Sequence, residues 1–175
     1  TINVNPARAE EGEINGVSRD FLIFPSSWTV DATAKIANGR VAVSGSVHLV
    51  DVERLEAEIA DTGMDWGLDP RGAVVRGATV TVRFVELIPV RTKIGTEYDF
   101  IEKKVVPVYE DRIVERSAGS VKVKSAANGS FKASIRATPK DRDYRVSVSV
   151  GDPDANVARA STYANRHAWS FDDLT

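Results

Sequence analysis

Apolar and polar residues alternate with a period of two over most of the chain. Val30, Ala32, Ala34 and Ile36 fall on one face of a predicted strand, Asn38-Gly39 follows, and Val41, Val43, Val47 and Leu49 share one face of the next. A primed two-residue turn needs positive φ at both central positions, which Asn and Gly tolerate best, so this is a predicted hairpin. Asn128-Gly129 repeats the device between Val121/Val123 and Phe131/Ala133/Ile135, and predicts a second hairpin. Val80, Val82 and Phe84 alternate with Thr79, Thr81 and Arg83; Tyr144, Val146, Val148 and Val150 alternate with Arg145, Ser147 and Ser149. Each such strand has one apolar face for a core and one polar face for water. Residues 157–164 make a last, alanine-rich strand.

Two segments break the rule. Val52, Leu55 and Ile59 fit a helical stripe, while Leu55, Ala57 and Ile59 fit a strand equally well. The strand is favoured, because a helix this short is marginal alone and Thr62-Gly63 and Asp69-Pro70-Arg71-Gly72 close the segment as turns would. Between Glu86 and Gly119, Pro89, Gly95 and Pro107 interrupt the pattern and charges cluster at Glu102, Lys103, Lys104 and at Glu110, Asp111, Arg112. Val105, Val106, Val108 and Tyr109 are too apolar for a linker, so residues 87–118 are expected to project as an excursion or extra hairpin, with Pro107 at a sheet edge. Seven or eight short strands make an all-β, immunoglobulin-like antiparallel sandwich the expected fold, covering residues 29–166 with the insertion at 87–118. Residues 1–28 are expected to be an N-terminal appendage or the end of a preceding domain, with Phe21 to Phe24 as one apolar run; residues 167–175 are expected to link to a following domain.

Composition narrows the chemistry. The 175 residues contain no Cys and only two His, which removes thiol nucleophiles, disulfides, Cys-based metal sites and nearly all His-centred catalysis. A net charge of -2 offers no global field for nucleic acid, and no apolar run is long enough for a membrane helix. Neither nucleic-acid binding nor membrane insertion is expected. His48 falls on the wetter face of its strand and reads as a surface residue; His167 lies near Trp169 and Asp172 without a nucleophile motif. The oxygen-rich run Gly151-Asp152-Pro153-Asp154-Ala155-Asn156 lacks calcium-loop spacing and reads as a turn. Trp28, Trp66 and Trp169 could stack on sugar rings but are dispersed; Trp66, in the loop Met64-Asp65-Trp66, is the one candidate ligand contact. No catalytic, metal or cofactor residue is expected, no cofactor is implied, and the chain is not expected to be an enzyme.

The order of three pieces carries a resemblance. Leu55 to Asp61 leads into Asp69-Pro70-Arg71-Gly72-Ala73-Val74-Val75-Arg76-Gly77-Ala78-Thr79-Val80-Thr81-Val82, and later come Asn128-Gly129-Ser130-Phe131 and Asp143-Tyr144-Arg145-Val146-Ser147-Val148-Ser149-Val150-Gly151-Asp152. Together these resemble the strand signatures of bacterial immunoglobulin-like modules, most closely macroglobulin domains of the bacterial alpha-2-macroglobulin family. In that signature Gly72 and Gly77 would allow sharp turns, Ala78 would fit a tight place, and Tyr144 would open the inward face of a closing strand. The resemblance implies a non-catalytic scaffold module in a large secreted, extracellular or periplasmic, protease-trapping protein. Its partners would be neighbouring domains of the same polypeptide, with proteases or other proteins as targets, and residues 87–118 would be a bait-like or partner-contacting element. Without Cys the chain cannot hold that family's thioester. The rival expectation is an adhesin or carbohydrate-binding sandwich of a bacterial surface protein that uses Trp66.

Overall fold

The computed structural model describes residues 2–3, 18–19, 23–62, 68–138 and 142–165. Two short strands, β1 (Ile2–Asn3) and β2 (Ser18–Arg19), pair with each other. The remaining eight strands form two antiparallel sheets. In the first, β4 (Arg40–Val50) lies beside β3 (Trp28–Ala37) on one edge and beside β5 (Arg71–Val74) and β8 (Ser130–Arg136) on the other. The second has the order β10 (Val157–Ala164), β9 (Asp143–Gly151), β6 (Thr79–Asp99), β7 (Lys104–Lys124). The expected all-β sandwich is the fold. Its strand distribution, β3-β4-β8 against β7-β6-β9-β10, is that of an immunoglobulin-like domain whose C′ strand has joined the C, F and G strands.

The alternating residues make the core. Val41, Val43, Val47, Phe131 and Ala133 point inward from the first sheet and meet Val80, Val82, Phe84, Tyr144, Val146, Val148 and Val150 from the second, all buried. Burial of apolar area is the dominant favourable term here, about 25 cal/mol per Å². Phe131 lies over Gly45, where an added Cβ would stand 2.7 Å from the ring and 2.0 Å from the Asp31 carbonyl, so glycine is required by close approach. The Tyr144 hydroxyl accepts the Thr138 amide at 2.9 Å, six residues upstream. A tyrosine at the start of the F-like strand, bonded back to the incoming chain, is the tyrosine corner of immunoglobulin-like sandwiches.

Asn38 and Gly39 adopt φ of 50° and 70°, the primed turn expected between β3 and β4. Asn128-Gly129 does something else. β7 pairs with β6 and β8 pairs with β4, so this turn carries the chain from one sheet to the other and closes no hairpin. Only its glycine has positive φ, and the Gly129 amide bonds the Ala126 carbonyl while the Gly129 carbonyl accepts the Val47 amide. The segment expected as a strand at Leu55 to Ile59 is a helix, α1 (Val52–Thr62). Asp51 is its N-cap, its Oδ1 accepting the Arg54 amide at 3.0 Å, and Glu53 lies in the first turn where the helix dipole favours a carboxylate. Leu55 is buried and Ile59 half-buried, so the 3.6-residue stripe wins over the period-two reading. Gly77 has the positive φ of a sharp turn, at 72°, whereas Gly72 lies within β5. Ala78 is buried, as a tight place requires.

Candidate interaction site

Residues 87–118 are an ordered β-ribbon. β6 and β7 are 21 residues each and pair from Thr79↔Lys124 to Asp99↔Lys104, with irregularities at Phe84/Val85 and Lys93/Gly95. The neighbouring β9 pairs with β6 only through Leu87↔Asp143. Beyond that point the two strands continue as an arm with no third strand beside them among the described residues, and among these β7, carrying Pro107, is the sheet edge throughout.

The arm is anchored by charge at its base. Glu86, 1% exposed, receives Arg116 through two guanidinium bonds, from Nε at 2.9 Å and from Nη2, and the Thr138 hydroxyl at 2.8 Å. Burial by itself would raise the Glu86 carboxyl; the Thr138 and Arg116 bonds and the Arg116 and Arg142 charges outweigh it and hold the group below its ordinary range. Arg145 reaches Glu115 at 2.7 Å on the other face. These contacts fix where the ribbon leaves the sandwich.

The arm then presents apolar side chains to water. Ile94, Tyr98, Val105, Tyr109, Ile113 and Val114 are exposed along it, and Phe100 and Ile101 at its tip are 83% and 92% exposed. The tip is built, not frayed. The Asp99 carboxylate accepts the Ile101 and Glu102 amides at 2.8 and 3.0 Å, Lys103 takes a φ of 50°, Lys104 pairs with Glu102, and the Phe100 ring stands edge-on to Tyr98 at 5.0 Å. Further down, the Arg91 guanidinium lies 4.5 Å above the Tyr109 ring.

A cavity of about 720 Å³ lies against β3, β4 and β8, with Lys35 and Lys132 among its lining residues, and reaches Val121 and Val123 of β7.

Other candidates are occupied by structural bonds. The half-buried His48 ring is held between the Gly72 carbonyl, 3.0 Å from Nδ1, and the Ser46 hydroxyl, 2.9 Å from Nε2. Ser46 in turn donates to Asp31 at 2.6 Å. This chain of bonds laces β3, β4 and β5 together on the outer face of a sheet, with the Ser46 hydroxyl committed to a carboxylate. In the oxygen-rich loop, Asp152 is buried and accepts from the Ser26 hydroxyl, the Ser27 amide and hydroxyl, and the Asp154 and Asn156 amides at 2.8 to 3.0 Å. Burial would raise this carboxyl, but the Ser27, Ser26 and Asn156 bonds outweigh it and hold it well below the usual carboxylate range. Its oxygens serve hydrogen-bond donors and pin the entry to β3 onto the β9–β10 turn. Trp28 is half-buried against the core. Trp66, Met64, Asp65, His167, Trp169, Phe21 and Leu22 lie outside the described residues.

The fold and the site thus define an immunoglobulin-like sandwich carrying a long apolar arm. No family model matches the chain, and no curated protein matches it. Among solved structures, the sporulation control protein Spo0M from Bacillus subtilis aligns over 81% of this chain and 51% of its own, with 9% sequence identity and a TM-score of 0.32. The chain spans about half the length of that structure, and a likeness this slight carries no argument about function.

Proposed function

We propose that the chain is a non-catalytic structural and interaction module of a large secreted bacterial protein, of the kind macroglobulin domains represent, and that the β6–β7 arm is its contact element. One observation carries the reading: a built two-stranded ribbon holds its largest apolar side chains in water. An isolated hairpin is marginal in water even when its sequence favours it, and exposed apolar patches of this size mark interaction surfaces. The secreted, multidomain setting rests on the strand signatures and on a Cys-free, His-poor composition. Within that setting contact is favoured over a cleavable bait. A protease reads an unpaired extended segment, whereas the arm's backbone is paired from base to tip.

The test replaces residues 88–114 by Asn-Gly, joining Leu87 to Glu115 through a tight turn. The shortened chain is expected to keep a cooperative melt and to lose the associations of the intact chain. Associations that survive the replacement, or a sandwich that no longer folds, would overturn the reading.

A further inference from the structure

We infer that the outer face of the second sheet binds an acidic glycan, an oligosaccharide whose sulfate or carboxylate groups recur among its hydroxyls. This site is separate from the arm and goes beyond the contact role proposed for it. Residues of β6, β9 and β10 that point away from the core share one outer face, and the register sets them side by side as Arg83↔Ser147↔Ser161, Thr81↔Ser149↔Arg159 and Val85↔Arg145↔Tyr163. Pairing with β7 adds Lys122 beside Thr81 and Lys124 beside Thr79. Arg83, Arg159, Lys122 and Lys124 are exposed, and Arg145 is half-buried. Long arginines stand around small serines, and together Arg83, Arg145, Arg159, Ser147, Ser149 and Ser161 line a groove of about 710 Å³.

The charge of this face is opposite in sign to that of the chain, whose net charge is -2. Its carboxylates, Glu115 and Asp143, lie on either side of Leu87 at the end where the arm leaves, and Glu115 engages Arg145 at 2.7 Å. Among the described residues no carboxylate engages Arg83, Arg159, Lys122 or Lys124. A guanidinium presents paired N–H donors that match the oxygens of a sulfate or a carboxylate. Lys122 and Arg159 stand at one level of the sheet, three strand spacings or about 14 Å apart, so one small anion cannot serve all five cations. A ligand with repeated anionic groups can. Between the cations the floor is hydroxyl: Ser147, Ser149, Ser161, Ser120 and Thr81 can donate to and accept from the hydroxyls of a sugar chain. Single-stranded nucleic acid would bring bases that stack on rows of aromatic side chains, and among the described residues this face offers one ring, Tyr163, at its edge strand.

Calorimetric titration of the full chain with a heparin-derived oligosaccharide tests this, with neutral dextran and duplex DNA as comparison ligands. The chain is expected to bind heparin and not dextran, and to bind less tightly as salt rises. Arg83→Ser combined with Arg159→Ser removes two exposed side chains that make no ion pair among the described residues, so the melting temperature is expected to hold. Heparin affinity is expected to fall by on the order of 100-fold, about tenfold for each charged donor lost, and the slope of log affinity against log salt by about two. Lys122→Ser combined with Lys124→Ser, on the same face, is expected to weaken binding in the same direction and serves if the arginine variant does not fold. Lys35→Ser combined with Lys132→Ser takes the same charge from the outer face of the first sheet and is expected to leave the affinity within about threefold. A wild-type chain that does not bind heparin, or an equal loss from the Lys35 and Lys132 variant, would overturn the inference. So would duplex DNA bound as tightly as heparin and released by the same arginine variant, which assigns the face to nucleic acid. Replacement of residues 88–114 is expected to leave heparin binding intact, so this site and the contact role of the arm fail separately; binding lost with the arm would place the site there and sink the inference.

Discussion

The two most informative single residues are carboxylates that the fold buries and then satisfies. Asp152 takes five donors and Glu86 takes three, and each is held below its ordinary range although burial pushes the other way. A folded-state pKa below the unfolded value means that the unfolded chain binds protons more readily. The stabilisation is therefore complete above the unfolded value, about 4, and is lost as pH falls from there toward the lower folded value. Asp152→Asn is expected to lower the urea midpoint at pH 7 and to make its decline between pH 5 and pH 3 (about one unit either side of that value) shallower than in the wild type. An unchanged slope would mean that Asp152 has no part in holding Ser26 and Ser27 against the β9–β10 turn. The Asp, Pro and Asn residues of Gly151 to Asn156 marked this loop as a turn, but nothing local shows that its first carboxylate answers to serines more than a hundred residues earlier.

At the scale of elements, the strands were the most legible feature. Val80, Val82 and Phe84, and Tyr144 to Val150, point inward as their period of two requires. The Asn38-Gly39 turn forms as its chemistry dictates, because both residues sit at positive φ. Asn128-Gly129 shows the limit of the same signal. Turn chemistry fixes the local reversal but not the sheet that the next strand joins, and Phe131 pairs with Gly45 of β4 because its ring fills the space above that glycine. The helix α1 was ambiguous by periodicity and was decided by its cap. Asp51 precedes the stripe and closes the first turn, a signal present in the sequence but outweighed by the turn residues at the other end. Asp51→Ala is expected to cost about 1 kcal/mol in a denaturant melt, typical of a lost N-cap. A change within a few tenths would make packing of Leu55, not the cap, the origin of the helix. The arm was legible as an excursion because prolines and charges interrupt residues 87–118. Its regularity was hidden: apolar residues lie on both of its faces, so neither reads as a one-sided strand, and the extra residue near Ile94 shifts the phase midway.

For the whole molecule, the sandwich and the arm have different energetic standing. The sandwich buries its alternating residues between two sheets, whereas the ribbon past Leu87 has neither a third strand nor an opposing layer among the described residues. Its order thus depends on what covers it, and this dependence is the central claim. Of the contact residues weighed in the sequence, Trp66 lies outside the described residues, and the features that matter, Phe100, Ile101 and the exposed apolar side chains of the ribbon, become visible only once the register places them together. Amide hydrogen exchange of the isolated chain tests the claim most directly, because it reads the two parts separately in the intact chain. Amides of residues 88–114 are expected to exchange much faster than those of β4, β6 up to Leu87 and β9. Arm amides as protected as those of the sandwich would show a self-sufficient ribbon and contradict the account.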